Sequence, residues 1–158
     1  MRVVVVEPEA DRLEEISSWL RADGWFVWDC PGPSAPDYSC PGGSKEGCPL
    51  AEQADVVVLD LWLEGDTFLE GTAGWELLTY YLSLGKPVVA LEASEDPLRP
   101  LPGELIEVLP RPPEREPLLR AARELYARTS RAGTRKPADE TLGADFALAR
   151  PFHDTAEP

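Results

Sequence analysis

Apolar residues in this chain gather in short uninterrupted runs, and the stretches between them carry helical periodicity. The first run, Val3–Val6, predicts a buried strand over 2–7 that ends in acid at Glu7. Glu9, Ala10 and Asp11 then open a helix, with acid where the helix dipole favours it. Leu13, Ile16 and Leu20 keep its helical spacing, and Asp23-Gly24 stops it. Trp25–Asp29 reads as a shorter strand. Residues 30–53 lose all rhythm: proline and glycine forbid regular structure except in a last turn near Leu50–Gln53. Ala54–Glu64 then supplies the strongest apolar run, Val56–Leu59, closed by Asp60. After a glycine-bearing loop over 65–74, Trp75–Leu84 is a helix with Leu77, Leu78, Tyr81 and Leu82 on its apolar side, ended by Gly85. Val88–Leu91 is a fourth strand, closed by Glu92. The proline-broken connection after it has no room for a long helix. Leu105–Leu109 is a fifth strand, Pro110–Pro113 a turn, and Pro117–Ala127 a last helix facing inward through Leu118, Leu119, Ala122, Leu125 and Tyr126. From Thr129 the chain is polar and reads as a flexible tail.

A strand that is apolar on both faces needs cover on both faces, which a parallel sheet between helices provides. The expected fold is therefore α/β: a doubly wound five-stranded parallel sheet of order 2-1-3-4-5, with the second and fourth helices replaced by loops. Asp60 ends the central strand, where such sheets place ligands. The plainer alternative is an acid that merely closes a buried strand.

Composition sharpens this picture in three places. With 158 residues, the chain supports one domain over 1–128, with an insertion at 30–53, and a tail over 129–158. A net charge of −14 opposes binding to nucleic-acid phosphate or anionic lipid, and the nearest basic group, Arg131, Arg135 and Lys136, is offset by adjacent acids. No run approaches membrane-spanning length and no signal-peptide pattern follows Arg2, so a cytoplasmic protein is expected. In that compartment Cys30, Cys40 and Cys48 read as free thiols, a redox pair or metal ligands.

Four segments in order, VVVVEPEADRLEEI, VVVLDLWL, PVVALEAS and LPRPPEREPLLRAARELY, carry a resemblance to the response-regulator receiver domain over residues 2–127, in divergent form. The resemblance implies a crevice where an acidic pair and an aspartate hold magnesium, the aspartate accepts a phosphoryl group, and a hydroxyl and a lysine complete the site. Such a transfer depends on positioning and cationic compensation. Carried onto this chain, the acceptor is Asp60, and the acidic pair is Glu7 and Pro8, with Glu9 adjacent. The hydroxyl position holds Glu92 and the lysine position Arg111. The Arg111–Pro112 bond is expected to be cis, as in the family. Glu7, Asp60 and Glu92 would thus converge with Arg111 as counterion, a cluster that is stable without phosphate. Magnesium at Glu7 and Asp60 is a weakened expectation, because Pro8 has replaced a carboxylate.

Three functional readings follow. The first is a degenerate receiver acting as a protein-interaction module, its partner a histidine kinase or another regulatory protein. The second is a phospho-acceptor using Asp60. The third is a metal- or redox-responsive regulator acting through Cys30, Cys40 and Cys48. An enzyme is not expected, since the core lacks histidine and the chain lacks a nucleophile elbow or glycine-rich phosphate loop. Nine and then seven residues separate the cysteines, wider than a compact metal knot, and a fourth ligand would have to be His153 or an acid such as Asp37. Tyr38 and Leu50 are the apolar anchors of that loop, and Cys40 is the expected partner in any cross-link. In the tail, Leu142, Phe146 and Ala149 would allow a short amphipathic helix over Thr141–Arg150.

Overall fold

Consecutive residues of the apolar runs turn to opposite sides of one sheet. The computed structural model describes residues 1–33, 40, 47–63, 72–92 and 103–133. Its elements are β1 (Arg2–Val6), α1 (Ala10–Ala22), β2 (Phe26–Cys30), α2 (Pro49–Gln53), β3 (Val56–Asp60), α3 (Ala73–Ser83), β4 (Val88–Glu92), β5 (Ile106–Pro110) and α4 (Arg115–Gly133). All neighbouring strands are parallel, in the order β2-β1-β3-β4-β5. Val3, Val5, Val56, Val58, Val89 and Leu91 meet Ile16 and Leu20 of α1 and Leu118, Ala122 and Leu125 of α4 on one face. Val4, Val6, Val57, Leu59, Val88 and Ala90 meet Ala51 of α2 and Leu77, Leu78 and Tyr81 of α3 on the other. Each fully buried valine or leucine contributes roughly 1.5–3 kcal/mol, so the central three strands dominate the stability.

The helices end as their sequences direct. Gly24 and Gly85 stand just past the last turns at φ of 88° and 67°. Paired bonds close both ends: Trp25 N–H to the Leu20 carbonyl and Gly24 N–H to Arg21 at α1, Lys86 N–H to Tyr81 and Gly85 N–H to Leu82 at α3. This closure corrects the expected second strand. Trp25 belongs to the cap of α1, and β2 instead runs on to Cys30, which pairs with Val6. Likewise β5 extends to Pro110, opposite Glu92. The last helix starts before Pro117, because a proline in the first turn has no needed N–H to lose, and continues through Gly133. The expected tail boundary at 129 therefore falls inside α4, where the Thr129 hydroxyl donates to the Leu125 and Tyr126 carbonyls at 3.1 Å.

The second helix is reduced to the single turn α2, with Pro49 at its start. Two side chains clip it in place. The Tyr80 hydroxyl accepts the Cys48 N–H at 2.8 Å, and Lys86 Nζ donates to the Glu52 and Ala54 carbonyls at 2.9 Å. Leu50 packs against the same cluster. The fourth connection, the tail helix expected over 141–150, and Asp37, Tyr38, Arg135, Lys136 and His153 lie outside the described residues.

Candidate functional site

Four strand ends deliver the crevice. In the parallel register Val6 stands beside Leu59, Asp60 beside Leu91, and Glu92 beside Pro110, so Glu7, Asp60, Glu92 and Arg111 all reach the carboxyl edge. Glu7 leaves β1 with its N–H bonded to the Cys30 carbonyl at 3.1 Å. Its Oε1 then accepts the Glu9 N–H at 3.0 Å, taking one of the donors that the start of α1 leaves unpaired. Arg111 follows β5 directly. Its N–H bonds the Glu92 carbonyl at 2.8 Å, and the Arg111–Pro112 bond is cis.

Asp60 is fully buried, and both of its oxygens are engaged. Oδ1 accepts the Trp62 N–H at 2.8 Å, an acid turning back on its own chain two residues on. Oδ2 accepts Arg111 Nε at 2.7 Å, while the other arm of that guanidinium reaches Glu9 Oε1 at 2.9 Å. A second guanidinium enters from α1: Arg12 pairs with Glu9 Oε2 at 3.0 Å, and its NH1 lies 3.7 Å from Glu7 Oε1 and 3.9 Å from Asp60 Oδ2. Glu7, Glu9 and Asp60 thus face Arg12 and Arg111. One proton on Glu7 would balance the five groups.

The chemistry favours that proton. Burial pushes the Glu7 carboxyl up to about 7, and the neighbouring Asp60, by its charge and by sharing a hydrogen bond, pushes the same way. The Glu9 N–H and the Arg12 cation oppose this without reversing it. Glu7 Oε2 is buried with no hydrogen-bond partner other than such a shared proton could provide. Burial works against the Arg111 cation as well, yet the bond to Asp60 holds its pKa above the ordinary value.

A divalent cation of the kind the resemblance implies does not fit these residues. Magnesium requires a nearly octahedral shell of oxygens close at hand. Here Pro8 offers no side-chain oxygen, Asp60 is engaged at both oxygens, and the buried Arg12 NH1 stands beside both candidate ligands without a hydrogen bond of its own. At about 4 Å, each unit of like charge costs roughly 4 kcal/mol at an effective dielectric of 20. Among the described residues, no three histidines, cysteines or carboxylates are arranged to hold a metal ion.

The candidate residues are brought together unequally. Glu7, Glu9, Asp60 and Arg111 form one network; Glu92 is buried at the end of β4, joined to it by its backbone. The cysteines form a separate group on the α3 face. Cys30 and Cys48 are buried in one core cluster against which Cys40 also packs, and none of the three is in a disulfide. Burial, followed by the proximity of all three thiols, raises the pKa of the Tyr81 phenol. The short α2 folds Cys48 back over the sheet, and Tyr80 holds it there.

Arg12, Trp62 and Tyr80 were not singled out from the sequence. Arg12 had a visible signal, since it lies three residues after Glu9 at the start of a helix, where opposite charges meet. Trp62 acts through its backbone and Tyr80 through one hydroxyl, and neither leaves a pattern in the sequence.

Parallel strands in the order 2-1-3-4-5, helices on both faces and an acidic crevice at the carboxyl edge define a doubly wound α/β domain. No protein-family model matches the chain, and no curated protein matches it. Solved structures do. The receiver domain of Francisella response regulator 1452 aligns with a TM-score of 0.58 at 20% identity, over 81% of this chain and 98% of that one. A CheY-like response-regulator receiver protein from Methanospirillum hungatei gives 0.57 at 18%, over 82% and 97%. The response regulator StyR gives 0.56 at 26% identity, over 84% of this chain and 63% of the longer one. The fold is that of a receiver domain, in a divergent form. Among the described residues, no helix is long and apolar enough to cross a membrane.

Proposed function

We propose that this chain is a degenerate receiver-like signalling domain that works by binding a protein partner, a histidine kinase or another regulatory protein, and not by turnover. One observation carries the reading. The aspartate at the acceptor position is buried with both oxygens occupied by the chain itself, by the Trp62 amide and by Arg111. A phosphodonor needs a free carboxylate oxygen and cationic help for the charge that develops. Here Arg12 and Arg111 are already bound to carboxylates, and the resemblance puts Glu92 where the family keeps a hydroxyl. Incubation with a small phosphodonor and magnesium, read by intact mass, tests this. The chain is expected to gain no phosphoryl mass that Asp60→Asn removes. Stoichiometric, Asp60-dependent modification would establish the phospho-acceptor reading instead.

The cysteines support a second role within the same domain. Three thiols gathered around Tyr81, on a face where the second helix is a single turn, suit a redox-responsive element. Thiol counting before and after a mild disulfide oxidant measures it. Loss of two thiols with a mass decrease of two hydrogens supports the role, and three unchanged thiols remove it.

A further inference from the structure

The mismatch between the crevice and a divalent cation has a positive side. We infer that the guanidinium of Arg12 is a second built-in cation of this crevice, beside Arg111, standing between the two buried acids, Glu7 and Asp60, that a metal ion would otherwise bridge. Three observations converge. Arg12 NH1 lies 3.7 Å from Glu7 and 3.9 Å from Asp60, at the ends of β1 and β3, and its NH2 binds Glu9 at 3.0 Å. That NH1 is buried and makes no hydrogen bond, so it is held there by charge. Glu7 Oε2, on the same carboxylate, is buried without a hydrogen-bond partner. Pro8 completes the logic: a second carboxylate there would recruit a metal, and its absence leaves a need that a single positive charge meets.

The inference rests on the receiver-like reading of the crevice but makes a separate claim: Arg12 adds a like charge that opposes a metal, on top of the Asp60 oxygens held by Trp62 and Arg111. The decisive experiment measures binding of manganese, a spin-active stand-in for magnesium, by the free-ion resonance signal. The full chain is compared with Arg12→Ala, Arg12→Met and Arg12→Lys. The wild type and Arg12→Lys are expected to bind only the diffuse, salt-sensitive manganese that an acidic surface attracts. The two neutral variants are expected to gain one site at least about tenfold tighter, lost again on adding Asp60→Asn, because a like charge has left the acids. A neutral variant that is only marginally folded is read by melting, where manganese should raise its midpoint but leave the wild type unmoved. Tight, Asp60-dependent manganese binding by the wild type overturns the inference. So does a neutral variant that binds no better than the wild type and melts at the same temperature with and without the ion. Phosphoryl transfer to Asp60, which tests the proposed function, is a separate measurement and is not decided by a neutral variant that fails to gain metal.

Discussion

Replacing Glu7 by glutamine removes an acid that the fold holds near half-protonation at neutral pH, and the effect on stability has a definite sign. The carboxyl moves from an ordinary 4.5 to about 7 on folding. Between those values the folded chain binds more protons than the unfolded one. The stabilisation is therefore complete below about pH 4.5 and is lost as pH rises through about 7. At about 1.4 kcal/mol per pH unit, the full effect is about 3 kcal/mol, a large part of a domain's margin. The side chain is wholly buried, so solvent does not screen this away. Glutamine cannot ionise, and its amide can donate to Asp60 as the protonated acid would. Urea unfolding of both proteins at several pH values between about 5 and about 8 measures the difference. The glutamine variant should gain on the wild type by about 1.4 kcal/mol per pH unit up to about pH 7 and then level off. Asp23 and Asp55, whose carboxyls are held below the ordinary range, lose their contributions only at lower pH and stay outside this window. A difference that stays flat across the whole range, or a variant that loses ground as pH rises, would refute the reasoning.

Arg111→Ala leaves Asp60 buried without its closest cation and should cost about 2–4 kcal/mol, moderated by Arg12 at 3.9 Å; chemical denaturation checks this. Arg111→Lys should recover only part of the loss, because an ammonium cannot hold Asp60 and Glu9 in the forked geometry of the guanidinium. Gly74→Ala would bring a Cβ to 2.2 Å from the Leu61 carbonyl oxygen, just after Asp60, so a loss of at least about 2 kcal/mol is expected; a change under about 0.5 kcal/mol in thermal melting would show that the loop yields freely. Tyr80→Phe removes the acceptor of the Cys48 N–H and should cost about 1–2 kcal/mol, with Cys48 labelled faster by a thiol reagent; unchanged labelling would mean that α2 is held by other contacts.

Most of the fold was legible because β1, β3 and β4 are apolar on both faces, a pattern that only a covered parallel sheet explains. The errors fell where tertiary closure outweighs propensity. Trp25 has every mark of a strand residue, yet its N–H is taken by Leu20, and Pro117 looks like a helix start though the first turn tolerates it later. In the crevice, Glu7, Asp60 and Arg111 were legible because strand ends fix where they point. For Arg12 the spacing signalled only the pair with Glu9; its reach to Glu7 and Asp60 depends on how α1 leaves β1 after Pro8. The grouping of the cysteines was hidden for a similar reason. A single turn of helix, clipped by Tyr80 and Lys86, decides where Cys48 lies.

The central claim is that Asp60 is already satisfied by the chain itself. Its amide partner, Trp62 N–H, and its guanidinium partner, Arg111 Nε–H, are both direct reporters visible in a proton–nitrogen spectrum. Adding magnesium together with beryllofluoride, a phosphoryl mimic that binds free aspartate, should leave both signals where they are. If both signals shift, saturate together and stop responding in Asp60→Asn, the aspartate is open to phosphoryl chemistry and the account is contradicted.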